Sequence, residues 1–196
     1  MKTIITICCI IVLTLTGCGE KFPVIEDFGN EKYSMLDQDS AEVVFPEFVK
    51  GKVALVGYIF TNCPDICPLS TNNLRLIQER VRKEKIEGVE FVSISFDPDV
   101  DKPHVLKGFA GIRNLNEDNW RFLTGEKELI GSFMKRAGII AVPGDSTKLS
   151  NGKTIYYYVH TDRISLMDQE GRIRKNYKGS EINLEEIIND IKSLTN

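Results

Sequence analysis

Two long apolar runs dominate the hydrophobic pattern of the chain. Residues 53–60 are apolar almost throughout and 89–96 form a second, largely apolar run, as is typical of strands buried on both faces. Between these two runs, the segment from about residue 68 to 85 has apolar side chains at helical spacing, which predicts an amphipathic helix. The expected buried stripe of this helix consists of Leu69, Leu74, Ile77 and Val81. Two buried strands joined by a helix predict a sheet that contains parallel strands.

The rest of the chain continues this alternation of strands and helices. Further strands are predicted at 120–123, 155–159, 163–167 and 172–174, and further helices at 101–110, 126–137 and 182–194. Asp101 is expected to cap the first of these helices, with Pro103 in its first turn. Residues 138–153, which include Pro143 and several glycines and serines, predict a loop. The pattern therefore predicts an α/β fold, a central mixed sheet flanked by helices.

The N-terminal segment predicts a leader followed by a tether. Lys2 precedes an uncharged, mostly apolar stretch at 3–16, which is short for a bilayer span but fits a secretory signal. Cys18, preceded by a small residue, resembles the lipobox cysteine of bacterial lipoproteins, whose thiol receives a diacylglycerol and before which the chain is cut. We therefore expect a lipoprotein signal peptide at 1–17 and a lipidated tether at 18–32.

The remaining residues, 33–196, are expected to form one domain, because 196 residues allow one domain and hardly two. Two apolar segments at 33–36 and 43–45 flank a polar turn and predict that the domain begins with a β-hairpin. Apolar residues make up 42% and charged residues 27% of the chain, which excludes a disordered protein. The formal net charge of -3 gives no electrostatic reason to expect a nucleic acid as partner.

The five cysteines divide between the leader and the domain. Cys8 and Cys9 leave with the signal peptide and Cys18 is blocked by lipid, so that two free thiols survive at Cys63 and Cys67. Lipid chains on Cys18 would attach the protein to the cell membrane on its extracytoplasmic side, where disulfides persist.

Cys63 and Cys67 lie between the first buried strand and its helix, in the segment Cys63-Pro64-Asp65-Ile66-Cys67-Pro68. Sites of open α/β sheets form at such strand ends. A spacing of four residues is one helical turn, so both sulfurs can point the same way, and a helix N-terminus lowers the pKa of a thiol. Such a pair can form a disulfide, act as a redox couple or bind a soft metal. A purely structural disulfide would stabilise little, because it closes a short loop.

A third ligand near the two thiols would favour a metal site over a redox couple. The chain contains two histidines that could supply it. His104 follows Pro103 in a polar helix and is expected at the surface. His160 ends a predicted strand after the flexible segment 138–153, whose mobility we expect to let the imidazole approach the two thiols. Two thiolates and an imidazole suit Cu(I) and can also bind Cu(II) or zinc. Structural zinc sites and iron–sulfur clusters normally use four ligands, and no fourth cysteine or histidine is well placed, so both are disfavoured.

Three segments resemble the Sco/SenC family of copper chaperones. Residues 57–68, with their Cys-Pro-x-x-Cys-Pro box, are similar to the cysteine signature of that family. Residues 95–98, followed by Asp101, resemble its Asp-Pro segment, and 158–171 resemble its histidine segment. The similarity runs in matching order over roughly residues 33–194.

The resemblance implies a thioredoxin-like fold and one copper ion, Cu(I) or Cu(II), bound by Cys63, Cys67 and His160. It also implies a role in assembling the CuA centre in subunit II of cytochrome c oxidase. The protein would deliver copper as a metallochaperone, which is not an enzymatic role, or act as a thiol–disulfide reductase on the cysteines of the client site, or do both. Asp97 matches an acidic position of the family, for which we expect a supporting role rather than ligation. The chain lacks the Cys-x-x-Cys motif of thioredoxin-like oxidoreductases, which favours a metal over rapid thiol exchange.

Overall fold

The computed structural model describes residues 22–63, 66–148 and 154–195, and a six-stranded sheet lies at its centre. The strands are β1 (Glu26–Asp27), β2 (Tyr33–Leu36), β3 (Glu42–Phe45), β4 (Val53–Ile59), β5 (Val89–Ser95), β6 (Trp120–Leu123), β7 (Ala141–Lys148), β8 (Thr154–His160), β9 (Ile164–Met167) and β10 (Arg172–Tyr177). The central sheet has the order β1-β10-β9-β4-β5-β6. β4, β5 and β6 run parallel, while β9 pairs antiparallel with β4 and with β10. The predicted central mixed sheet is therefore confirmed.

Helices cover both faces of this sheet. They are α1 (Ile66–Lys83), α2 (Pro103–Ile112), α3 (Lys127–Arg136) and α4 (Leu184–Thr195). On one face Gly57 lies against α1, where an added Cβ would meet Leu74 Cδ1 at 2.7 Å. On the other face the ring centroid of Tyr58 lies 6.5 Å from that of Phe133 in α3. Successive residues of β4 thus face a helix on each side, which explains why this strand is apolar throughout.

Phe133 is the centre of an aromatic cluster on the α3 face of the sheet. Its ring centroid lies 5.4 Å from that of Phe28, 5.2 Å from that of Tyr33 and 5.6 Å from that of Phe45. All four side chains are buried. β2 and β3 pair antiparallel, so the predicted N-terminal hairpin is confirmed, and its inward rings attach it to α3.

The segment predicted as a tether joins the fold from Phe22 onward. β1 pairs antiparallel with β10, and the buried guanidinium of Arg174 donates a hydrogen bond to the carbonyl of Phe22 at 2.8 Å. From residue 22 onward, the segment predicted as a tether is therefore attached to the sheet by backbone pairing and by a buried aromatic ring. Residues 1–21, with the predicted signal peptide and Cys18, lie outside the described part of the chain.

Residues 138–153, predicted as a loop, contain strand β7. This strand pairs antiparallel with β8 in a separate two-stranded ribbon. The register shifts between Pro143 and Ser146, and such an irregularity accommodates a proline within a strand pair. The loop prediction is therefore wrong over the length of β7, while residues 149–153 lie outside the described residues.

Asp101 does not cap α2, contrary to the prediction. The N-cap residue is Lys102, which makes no side-chain capping hydrogen bond. Asp101 is buried instead, and its carboxylate accepts hydrogen bonds from the backbone N–H and hydroxyl of Thr61 and from the hydroxyl of Ser95. A buried carboxylate needs such donors, and these connect the segment before Cys63 to the end of β5.

The start of α1 buries a different side chain from the one predicted. Leu69 is 50% exposed, whereas Cys67, Leu74, Ile77 and Val81 are buried. At 3.6 residues per turn, Leu69 lies about 200° around the helix from Cys67, so the two cannot share a face. The inward position belongs to the cysteine. No helix among the described residues has both the length and the apolar composition to cross a membrane.

We expect Phe133→Ala to lower the free energy of unfolding by about 3–5 kcal/mol, because truncation leaves a cavity between α3 and the N-terminal hairpin. Denaturant unfolding followed by circular dichroism measures this loss. Ile112→Ala is the control, since Ile112 is 83% exposed and its truncation should change stability by no more than about 0.5 kcal/mol. Equal losses in the two variants would contradict the central position of Phe133.

Candidate metal centre

The two thiols lie at the C-terminal end of β4, where this strand joins α1. The backbone N–H of Cys63 donates to the carbonyl of Phe60 at 3.3 Å. Cys67 lies in the first turn of α1, and its backbone N–H donates to Sγ of Cys63 at 3.3 Å. Cys63 therefore precedes the helix and does not share a helical face with Cys67. The sulfurs converge because an N–H in the first helical turn lacks a partner within the helix and binds the first sulfur.

His160 brings an imidazole to the two thiols from a distant part of the chain. It is the last residue of β8, and its Nε2 lies 3.7 Å from Sγ of Cys67. The ligand atoms of Cys63, Cys67 and His160 all lie within 4.8 Å of one another. No other group of three or more potential ligands of this kind occurs among the residues the structure describes. The three residues singled out in the sequence are thus brought together, while His104 is exposed on α2.

An aromatic cluster supports the histidine ring. Period-two alternation along β8 turns Tyr156, Tyr158 and His160 to one face. The ring centroid of His160 lies 6.0 Å from that of Phe60 and 5.1 Å from that of Phe96. These two phenylalanines directly follow β4 and β5. The ribbon of β7 and β8 therefore packs one face over the ends of two parallel strands, and this packing delivers the imidazole to the thiols.

A hydrogen bond to Nδ1 determines which nitrogen of His160 is free to bind a metal. Nδ1 lies 3.2 Å from the carbonyl oxygen of Thr161. A carbonyl can only accept, so Nδ1 carries the proton of the neutral ring and Nε2 carries the lone pair. Nε2 is also the atom near Sγ of Cys67, which is the arrangement a metal-binding histidine requires.

The thiols and the imidazole perturb one another's pKa values. The hydrogen bond with Cys63 raises the pKa of the Cys67 thiol, and burial raises it further. The expectation that the helix N-terminus lowers this pKa is therefore wrong for Cys67, because burial and a neighbouring sulfur both disfavour a second negative charge. The pKa of His160 is raised chiefly by its hydrogen bond to Cys63, although burial opposes its protonation. Cys63 is partly exposed, whereas Cys67 is buried.

Asp97 contacts the histidine strand and is not one of the three ligands. Its side chain is buried, and the carboxylate accepts hydrogen bonds from the hydroxyls of Tyr156 and Tyr158. Burial raises the pKa of Tyr156, and the hydrogen bond to Asp97 raises it further. The same tyrosine accepts a hydrogen bond from Nδ2 of Asn62 at 3.3 Å. Asp97 therefore fixes the inner face of β8, and its functional role stays a prediction.

Two contributions to the site were missed in the sequence. Tyr156 and Tyr158 alternate toward His160, and this alternation is the sequence signal for their shared inner face. The sequence predicts Asp101 as a helix cap, whereas in the structure its hydrogen bonds position the segment that leads to Cys63. No local pattern around Asp101 distinguishes these two roles, because the partner Thr61 lies 40 residues away in the chain.

Comparison with known proteins gives the family of the chain. Residues 26–196 match the sequence model of the SCO1/SenC family. The chain belongs to this family. It is 34% identical over 191 residues to the SCO1 protein homolog of Bacillus subtilis (strain 168), which covers 94% of this chain and 92% of the relative. The resemblance seen in the cysteine, Asp-Pro and histidine segments is thereby confirmed.

Solved structures of this family share the fold. A SCO1/SenC family lipoprotein from Bacillus anthracis str. Ames has a TM-score of 0.73 at 35% identity, covering 90% of this chain and 99% of that one. BsSco, a Sco-family cytochrome c oxidase assembly protein with an identified disulfide switch, has a TM-score of 0.70 at 32% identity, covering 90% and 96%. Bradyrhizobium japonicum ScoI with copper bound has a TM-score of 0.68 at 25% identity, covering 83% and 97%. The predicted thioredoxin-like α/β fold is confirmed.

In the reduced, metal-free protein we expect the imidazole of His160 to titrate above 6.5, the pKa of an unperturbed histidine. Cys63→Ala removes the largest cause of this shift and should lower the pKa, because burial still opposes protonation. Proton NMR titration measures the effect, and a His104→Ala background leaves a single imidazole to observe. An unchanged His160 pKa in Cys63→Ala would contradict the hydrogen bond between them.

The raised pKa also predicts the sign of the pH dependence of stability. Protonated His160 stabilises the folded, metal-free state, so its contribution is fully present below the unfolded-state pKa of histidine. This contribution is lost as the pH rises through the higher folded-state pKa. The contribution of His160 is measured by denaturing His104→Ala and His104→Ala/His160→Ala at pH values below the unfolded-state pKa and above the folded-state pKa. The difference between the two free energies of unfolding should shrink as the pH rises.

Proposed function

We propose that this protein binds one copper ion through Cys63, Cys67 and His160 and serves in the assembly of cytochrome c oxidase. The observation that carries the proposal is the convergence of the three ligand atoms within 4.8 Å of one another, in a chain of the SCO1/SenC family. BsSco is a cytochrome c oxidase assembly protein, and the ScoI structure has copper bound. The client we infer is the CuA site in subunit II of the oxidase.

The donor set and its spacing favour copper. Two thiolates and an imidazole are soft and borderline ligands that suit Cu(I) and can also bind Cu(II). A three-coordinate ion with bonds of about 2.0–2.3 Å holds its ligand atoms roughly 3.5–4 Å apart. The 3.7 Å between Sγ of Cys67 and Nε2 of His160 lies within this range, so the spacing of this pair of atoms already suits the ion. A structural zinc site would need a fourth ligand.

The environments of the two thiols set the order in which they bind the incoming ion. Cys63 is the more exposed sulfur, so the incoming ion meets this thiol first. Cys67 then loses its proton, because a neighbouring positive ion stabilises the second thiolate. His160 adds the Nε2 lone pair, which its Nδ1 hydrogen bond keeps free. Transfer to a client reverses these steps.

Reduction of a client disulfide is a second candidate function, favoured by the direct contact between the two cysteines. The Cys63 thiolate would attack the client disulfide and form a mixed disulfide, and Cys67 would then displace the client sulfur. The client gains two electrons and two protons, and a Cys63–Cys67 disulfide forms. The identified disulfide switch of BsSco supports this alternative.

The attachment proposed for the protein is a lipid on Cys18, with the domain on the extracytoplasmic side of the cell membrane. The charged start, the apolar stretch at 3–16 and the lipobox motivate it, and the relative from B. anthracis is a lipoprotein. Because Arg174 binds the carbonyl of Phe22, only three residues separate Cys18 from the attached part of the chain. The domain would therefore lie close to the membrane surface.

We expect the reduced protein to bind one copper ion per chain, and His160→Ala to lower the Cu(I) affinity by at least about 10-fold, because it removes one of three ligands. Competition against a chromophoric Cu(I) chelator measures the affinity. The Cu(I) affinity should fall at lower pH, because the imidazole and the thiols must lose their protons to bind the ion. His104→Ala is the matched control and should bind as wild type. Equal affinities of the two histidine variants would exclude His160 as a ligand.

Copper delivery and thiol reduction make different predictions in cells that lack this protein. If the protein delivers copper, added copper restores oxidase activity and His160→Ala complements poorly. If it reduces the client site, only an added reductant restores activity and His160→Ala complements well, since both thiols remain. Oxidase activity in isolated membranes is the readout.

Cys18→Ser should abolish lipid attachment, because the lipid is bound to the thiol. Cell fractionation and mass spectrometry of the N-terminal peptide measure the loss of the lipid. Cys9→Ser, a change within the predicted signal peptide, is the control and should leave the protein membrane-bound. A wild-type protein whose Cys18 carries no lipid would refute the lipid attachment.

A further inference from the structure

We propose that Gly179 and Ser180 set the distance between His160 and Cys67 and are positioning residues of the metal centre. They lie between β10 and α4 and supply no ligand atom. The inference rests on the proposed binding of copper by the two cysteines and the histidine, and it adds residues that determine whether the third ligand is in reach.

Ser180 fixes the turn that follows His160; we call residues 179–180, between β10 and α4, the connection. Asp162 lies two residues after the histidine, and its carboxylate accepts hydrogen bonds from Ser180. The backbone N–H of Ser180 donates to Oδ1 at 2.9 Å, and its hydroxyl donates to Oδ2 at 2.6 Å. A carboxylate that accepts from donors on both oxygens is fixed in orientation. The turn after His160 is therefore attached to residues 179–180.

The other end contacts α1, the helix that carries Cys67. The carbonyl of Gly179 accepts a hydrogen bond from Nδ2 of Asn73 at 2.8 Å. Ser70 is buried, and its hydroxyl donates to the carbonyl of Cys67 at 3.2 Å. The first turns of α1 thus connect the sulfur of Cys67 to the same two residues that attach to the His160 turn.

Gly179 fits between these two ends because it has no side chain. It is buried, and a Cβ added there would lie 2.5 Å from Oδ1 of Asp162 and 3.0 Å from Cβ of Ser70. Neither neighbour can move aside easily, because Asp162 is bound by Ser180 and Ser70 belongs to a helix. A larger residue at position 179 must therefore push the His160 turn away from α1.

This displacement would affect one ligand more than the other two. Metal ligands must keep their bond lengths to within a few tenths of an ångström, so a shift of the histidine turn weakens its bond. Cys63 and Cys67 remain together, because the hydrogen bond from the Cys67 N–H to Sγ of Cys63 lies within the β4–α1 segment and does not involve the histidine turn. Residues 179–180 are thus expected to control the histidine bond selectively.

Gly179→Ala tests the inference. We expect a Cu(I) affinity roughly 10-fold to 100-fold below that of the reduced wild type, as for other residues that support metal ligands. Gly108→Ala is the matched control, since an added Cβ there meets nothing within 4 Å outside its own helix. In a His160→Ala background the effect of Gly179→Ala should vanish, because both changes act on the same bond. A loss of equal size in both backgrounds would mean general structural damage and would overturn the inference.

Ser180→Ala is a milder variant that removes only the hydroxyl hydrogen bond to Asp162. It should lower the affinity less than Gly179→Ala, and again only where His160 is present. Electron paramagnetic resonance of the Cu(II) form gives a second readout, in which coupling to the histidine nitrogen should weaken in Gly179→Ala and stay unchanged in Gly108→Ala. Wild-type affinity and coupling in both Gly179→Ala and Ser180→Ala would refute the positioning role.

The outcomes also separate this inference from the proposed function. If the wild type binds no copper, or if His160→Ala binds as tightly as the wild type, the proposed ligand set fails and the inference fails with it. If binding depends on His160 but not on residues 179–180, only the inference is overturned.

Discussion

The whole metal centre depends on the packing of one face of β8 against the aromatic residues that end β4 and β5. The ring centroid of Tyr158 lies 5.1 Å from that of Phe60 and 5.3 Å from that of Phe96. A two-stranded ribbon is marginally stable by itself, so β7 and β8 need this contact to keep their position. Because His160 is on the same face as the packed tyrosines, the burial that stabilises the ribbon also brings the imidazole to the thiols.

Two buried carboxylates connect the separate parts of the centre. Asp97 accepts hydrogen bonds from tyrosines of β8, whereas Asp101 accepts them from Thr61, just before Cys63. Burial raises the pKa of Asp101, and the donors around it oppose that rise. The segment after β5 thus lies between the cysteine loop and the histidine strand and contacts both. The two carboxylates thus contact the parts that carry the ligands, although neither is one of the three ligands.

The strands and helices of the central sheet were largely predictable, because each buries a regular apolar pattern. β4 and β5 match the two apolar runs, and the stripe of α1 is correct at Leu74, Ile77 and Val81. The failures have specific physical causes. β7 contains a proline at a register shift, so its local composition resembles a loop. Leu69 is exposed because Cys67, two helical turns before Leu74, occupies the inward position.

The sequence alone determined which side chains are the candidate ligands. Two cysteines in a Cys-Pro-x-x-Cys-Pro box at a strand end, and a histidine that ends a later strand, already identify the candidate ligands. Only the tertiary structure decided that the imidazole lies 3.7 Å from Sγ of Cys67, that Nε2 carries the lone pair and that the pKa of Cys67 rises. These properties depend on burial and on partners that are distant along the chain. A local pattern specifies which atoms are available, whereas packing specifies their separation and the state of their protons.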